Sequence, residues 1–127
     1  MAILELNDVC KTYSNNHVAT VALQHINLKV KKGSFMAILG RSGSGKSTLL
    51  HICGLLDNPS GGQVVLDGVD TTKLTSDELA SMRNRKLGFV FQTFFLSPGL
   101  TVQENVELPM VLGSITIVSV LNIVFFN

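Results

Sequence analysis

The sequence predicts an α/β fold, and three observations carry that expectation. Residues Gly40-Arg41-Ser42-Gly43-Ser44-Gly45-Lys46-Ser47 form a complete G-x-x-x-x-G-K-S loop. Ahead of it runs Ser34-Phe35-Met36-Ala37-Ile38-Leu39, a short apolar segment of the kind buried in parallel sheets. Behind it Leu49, Ile52, Cys53 and Leu56 recur at helical spacing. Strand, loop and helix thus follow one another in the order of a phosphate-cradling unit. Four fixed positions would coincide in roughly 0.4% of chains this long, so a glycine-rich surface turn is the poorer account.

The remaining elements follow in order. Ile3-Leu4-Glu5-Leu6 and Val18-Ala19-Thr20-Val21-Ala22-Leu23 read as strands, with Ser14-Asn15-Asn16 as the turn between them. Ile26, Leu28 and Val30 alternate with Asn27, Lys29 and Lys31, a half-exposed strand that ends at Lys32-Gly33. After the loop helix, Asp57-Asn58-Pro59-Ser60-Gly61-Gly62 is the expected stop. Val64-Val65-Leu66 is another strand, closed by Asp67-Gly68. A capping box, Thr75-Ser76-Asp77-Glu78, opens a short helix carrying Leu79 and Met82, with Arg83, Arg85 and Lys86 at the dipole's negative end. Leu87-Gly88-Phe89-Val90-Phe91 reads as a second apolar strand ending at Gln92. A second capping box, Thr101-Val102-Gln103-Glu104, starts a brief helix that Pro109 is expected to limit.

Composition narrows the function classes. A hydrophobic content of 46% with 15% charged residues excludes a largely disordered chain, and 127 residues make one domain or part of one. Ten basic against nine acidic residues leave a net charge of +1, with no electrostatic case for nucleic-acid binding. Cys10 and Cys53 are too few for a disulfide scaffold, and Cys53 falls on the apolar helix face as a buried small hydrophobe. The start carries acids and no basic n-region, so a reducing, cytoplasmic setting is expected. His17, His25 and His51 are scattered, without metal-ligand spacing, and His51 reads as an ordinary packed or surface histidine.

The loop carries the chemistry. Its glycines let the main chain wrap tightly, so N–H groups from Arg41 through Ser42, Gly43, Ser44, Gly45, Lys46 and Ser47 to Thr48 can converge on an anion. Lys46 supplies a full positive charge that reaches the outer phosphates, and the Ser47 hydroxyl is placed to ligate Mg²⁺. The positive end of the following helix faces the same group. The expected ligand is a nucleoside triphosphate.

Many folds use such a P-loop; the neighbouring motifs narrow it. Lys11-Thr12-Tyr13, Leu23-Gln24-His25-Ile26-Asn27-Leu28, the loop itself, Pro59-Ser60-Gly61-Gly62-Gln63-Val64-Val65-Leu66-Asp67-Gly68 and Gly88-Phe89-Val90-Phe91-Gln92 occur in sequence, extended by Leu100 to Val106. Over Leu4 to about Val111 the chain resembles the ATP-binding subunit of ABC transporters, nearest to the branch serving lipoprotein release and macrolide-type export. The resemblance implies a truncated P-loop NTPase core with an N-terminal antiparallel β subdomain. It implies ATP and Mg²⁺ as cofactors, a transmembrane permease as partner and a homodimer in intact relatives. It also implies a peripheral place at the inner face of the cell membrane. Tyr13 matches the aromatic that stacks on adenine, though by itself it is also a plain β-surface tyrosine. Gln92 matches the glutamine that reaches Mg²⁺ and the attacking water, making it catalytic together with Lys46; by itself it is a polar residue at a strand end. Residues 93–100 match the docking surface for the membrane subunit.

Two look-alikes are rejected. Ser60-Gly61-Gly62-Gln63 resembles the family's Leu-Ser-Gly-Gly-Gln signature, but Pro59 replaces the leucine and the segment lies where the family has an ordinary turn. Val64-Val65-Leu66-Asp67 imitates a Walker B strand, yet Gly68 stands where the catalytic glutamate belongs. Residues 1–113 then read as a partial nucleotide-binding domain without signature, Walker B pair or switch histidine. The uncharged tail 114–127 is unlike the family. It is open to three readings: a membrane span, a β-strand, or an accidental ending. A catalytically incomplete remnant and a P-loop kinase of another class stand as rival functions. The chain as written is expected to hydrolyse ATP at background rate or not at all, since no positioned carboxylate polarises the attacking water. Steady-state phosphate release by pure protein, abolished in Lys46→Ala, would contradict this.

Overall fold

A computed structural model describes residues 1–15, 18–90 and 96–113. They divide into two units, one spanning Met1–Leu74 and a second starting at Thr75. In the first, β1 (Ala2–Asn15) and β2 (Val18–Lys31) pair antiparallel along their length. Strands β3 (Gly61–Leu66) and β4 (Val69–Asp70) extend the sheet in the order β2-β1-β3-β4. The short strands expected at 3–6, 18–23 and 26–30 are therefore pieces of one long hairpin.

Two facing irregularities join those pieces. Leu4 and Leu6 are buried on one face of β1, but the next buried residue is Val9. Asp8, at φ 54°, breaks the alternation and shifts its parity by one. Across the ladder His25, at φ 51°, does the same between Leu23 and Ile26. The Asp8 carboxylate lies 2.7 Å from His25 Nδ1, and the Asp8 amide donates to Asn27 Oδ1 at 3.0 Å, which fixes the double bulge.

The bulge in turn dictates the residue beside it. A Cβ added at Gly62, whose φ is 84°, would run into the main-chain carbonyl of Asp8. Gly61 pairs with Cys10 and Gln63 with Asn7, while Ser60 Oγ accepts the Thr12 amide at 3.0 Å. Ser60-Gly61-Gly62-Gln63 is thus a strand start shaped around β1, which accounts for its glycines without any ligand. Val64 and Leu66 are buried in a strand antiparallel to β1, and Asp67-Gly68 (φ 50° and 81°) forms the tight turn into β4. Both look-alikes have structural roles.

Helix α1 (Lys46–Cys53) packs on β2 and buries Ile52 and Cys53. It ends before the expected stop at Asp57. The Leu55 amide donates to Ile52 O at 3.0 Å and the Leu56 amide to His51 O at 2.8 Å, a Schellman-type crossing with Leu55 left-handed at φ 56°. This swings Leu55 into the core and leaves Leu56 44% exposed, the reverse of the expected pattern. Burial of the leucine, about 2 kcal/mol, offsets the 1–2 kcal/mol cost of its backbone.

Residues 34–40 and 87–90 form no strand, contrary to expectation. Phe35 and Leu39 are 88% and 91% exposed. An apolar run becomes a strand only where a neighbour completes its main-chain hydrogen bonds, and no described segment pairs with either run. Phe91 and Gln92 lie outside the described residues.

In the second unit, α2 (Ser76–Lys86) starts at the expected capping box: Glu78 accepts the Thr75 amide at 2.8 Å and Thr75 Oγ1 accepts the Glu78 amide at 3.4 Å. The same reciprocal pair, Thr101 and Glu104 at 2.7 and 3.2 Å, opens α3 (Val102–Gly113). Pro109 does not limit α3, which runs through it to Gly113. A proline φ of about −65° is compatible with a helix, although an interior proline both loses a main-chain bond and crowds the carbonyl one turn back. Among the described residues no helix is long and apolar enough to cross a membrane. The tail 114–127, with its three readings, lies outside them.

Replacing Gly62 by Ala should cost about 2 kcal/mol or more, from a left-handed backbone plus a carbonyl collision. Gly61→Ala, whose Cβ would meet only Cys10 Cβ at 4.0 Å, should cost less than about 1 kcal/mol in urea unfolding. Equal losses at the two positions would contradict the bulge account.

Candidate functional site

The loop closes on a single carbonyl. Arg41 O accepts the Ser44 amide at 3.2 Å and Lys46 Nζ at 2.7 Å, so the lysine ammonium is held against the loop's own main chain. Gly45 is the N-cap residue of α1 at φ 88°, and a Cβ there would sit 2.5 Å from Ala22 O and 3.1 Å from Leu23 Cδ2. The loop therefore rests directly on β2. Having no side chain, Gly45 provides no cap, and no acid lies in the first turn of α1. The positive end of the helix is thus left to be complemented by an external anion. Gly40, Arg41, Ser42, Gly43, Ser44 and Ser47 are exposed, while Gly45, Lys46 and Thr48 are half-buried.

These residues fit a phosphate chain: a glycine cradle, one ammonium and a helix start. Ser47, an exposed residue in the first turn, carries a hydroxyl, the kind of hard oxygen that Mg²⁺ accepts. Gln92, the other expected metal and catalytic residue, lies outside the described residues.

Tyr13 pairs with Thr20 on β2, two residues along from the Ala22 that Gly45 abuts, so the aromatic and the loop share one end of the hairpin. Tyr13 is 39% exposed. Its hydroxyl donates to Asp57 Oδ2 at 2.9 Å, and Lys11 Nζ stands 4.9 Å from its centroid. Lys11 Nζ also lies 2.6 Å from both Asp57 Oδ1 and Asn58 O. Partial burial pushes the Asp57 carboxyl up, but hydrogen bonds from Lys11 and Tyr13 and the Lys11 charge outweigh it and hold the group below its ordinary range.

Lys11 and Asp57 are the residues that sequence reasoning did not assign to the site. Asp57 reads locally as a helix stop, and its partner lies 46 positions away, so no short-range pattern reveals the pair. His51 is exposed on α1, as an ordinary surface residue. Cys53 is buried as expected, and burial pushes its thiol up to about 12, which makes it inert.

Comparisons with known proteins agree with this geometry. The family model described as "ABC transporter" matches residues 23–124. A macrolide export ATP-binding/permease protein of Brucella abortus is 50% identical over 109 residues, 86% of this chain and 17% of that protein. An ABC transporter ATP-binding protein of Methanocaldococcus jannaschii, MJ0796, is 49% identical over 86% of this chain and 46% of its own length. Two solved dimeric structures of that cassette, one bound to ADP and phosphate, match with TM-scores of 0.82 and 0.83 at 48% and 46% identity. They cover 87% and 91% of this chain and 47% and 50% of the other. The chain spans about half the length of these solved cassettes. The fold is that of their P-loop NTPase core, with an antiparallel β subdomain at the N-terminus.

Asp57 has a folded-state pKa below its unfolded one, so its contribution to stability is present above the ordinary carboxylate pKa and is lost as pH falls through the folded value. The thermal midpoint of Asp57→Asn should therefore trail the parent by a constant gap between about pH 5 and 7 and close that gap below about pH 4. A gap that widens in acid would contradict the assignment.

Proposed function

The chain belongs to the ABC transporter family, and on that footing we propose that it binds Mg²⁺-ATP as part of the ATPase subunit of an export or lipoprotein-release transporter. The observation that carries the reading is the loop: closed on Arg41 O, seated on β2 by Gly45, and continued by a helix start without a side-chain cap. In this reading the amides of residues 41–48 wrap the triphosphate and Lys46 neutralises its outer oxygens. Tyr13 offers its π-face to the adenine. Ser47 and Gln92 hold Mg²⁺, which when bound screens the charge of the β- and γ-phosphates.

The partner is a transmembrane permease, met through residues 93–100, and this places the chain peripherally at the cytoplasmic face of the membrane. The assembly is a homodimer, as the solved relatives are dimers. Residues 1–113 form the nucleotide-binding portion and 114–127 a separate tail. Coupling of hydrolysis to transport belongs to the complete cassette and its permease. A kinase of another class would explain neither the β-rich start nor the family match.

Titration with Mg²⁺-ATP, followed by calorimetry, tests the reading. The parent should bind saturably, and Lys46→Ala should weaken binding about 10- to 100-fold, the worth of one charge-assisted contact. Equal affinities, or no saturable binding up to millimolar nucleotide, would refute it.

A further inference from the structure

We propose that Asp57 and Lys11 are positioning residues that hold the Tyr13 ring as a ready platform for the nucleotide base; the proposal rests on the nucleotide-binding reading above. Left alone, a tyrosine on an exposed strand samples several rotamers, and a base that stacks on it must order it first. Here three contacts order it beforehand. Asp57 Oδ2 accepts the phenol proton at 2.9 Å, Lys11 Nζ sits 4.9 Å from the ring centroid, and Lys11 bridges to Asp57 Oδ1 and Asn58 O at 2.6 Å. The Lys11 side chain is only 12% exposed and that of Asp57 30%, so the ion pair is partly withdrawn from water. The ammonium takes one face of the ring, and in this proposal the base stacks on the opposite one.

The clamp also fixes where the ring stands relative to the phosphate site. Asp57 and Asn58 follow directly on the turn that ends α1, and α1 begins at Lys46 in the loop. The base platform is tied to the far end of the same short helix whose start meets the phosphates. One rigid element thereby sets the spacing between the two contacts that a nucleotide would make.

Affinity for Mg²⁺-ATP and for inorganic tripolyphosphate, measured on the full chain, tests the assignment. Tripolyphosphate engages the loop alone; ATP engages the loop and the platform. Asp57→Ala and Tyr13→Phe should each weaken ATP binding about 3- to 10-fold, the cost of ordering one freed side chain, and leave tripolyphosphate affinity within about two-fold. The double variant should bind ATP no more weakly than the poorer single one, because both break the same link. Asp57→Asn, which keeps an acceptor for the phenol but loses the ion pair, should fall between Asp57→Ala and the parent; it carries the test together with Tyr13→Phe should Asp57→Ala not fold. Unchanged ATP affinity, or equal loss for both ligands, overturns the proposal while leaving the loop reading intact. A parent that binds neither ligand overturns both.

Discussion

The contact between Gly45 and the main chain of β2 is the constraint on which the site depends. At that point the backbone must pass within touching distance of Ala22 O in a left-handed conformation, and no residue with a Cβ fits. The same glycine is the last residue before α1, so the helix begins without a side-chain cap. A packing requirement and an electrostatic opportunity thus come from one missing methyl group. Placing any capping side chain there would satisfy the helix and destroy the seat of the loop.

The shape of the loop rests on different neighbours from those the sequence suggests. The apolar run 34–39 would ordinarily be the scaffold from which such a loop springs, yet it forms no strand, pairs with no described segment and is mostly exposed. The loop keeps its closure through Arg41 O and its position through β2 and α1, all within the first unit. The long hairpin therefore does more than flank the site. It carries Tyr13, supplies the surface under Gly45 and packs against α1, whose Ile52 and Cys53 are buried.

What could be read from the sequence was local. The loop, both capping boxes and the Asp67-Gly68 turn are fixed by residues within a few positions of one another, and each is where the pattern put it. The parity change at Asp8 and His25, the inward swing of Leu55 and the loss of strand 34–39 depend on partners elsewhere in the chain. Periodicity at β1 was legible only as far as Leu6, because a left-handed aspartate is not encoded by alternation. The candidate site divides in the same way: Gly40 to Thr48 announces itself, whereas the Lys11–Asp57 clamp exists only once the hairpin lies beside the end of α1.

The account stands or falls on main-chain amides that converge on phosphate. Backbone ¹⁵N–¹H resonances followed during titration of the full chain with inorganic tripolyphosphate would test this directly. The largest shifts should be confined to amides between Arg41 and Thr48 and saturate together. Shifts that are uniformly small, or that concentrate elsewhere while this stretch stays still, would contradict it.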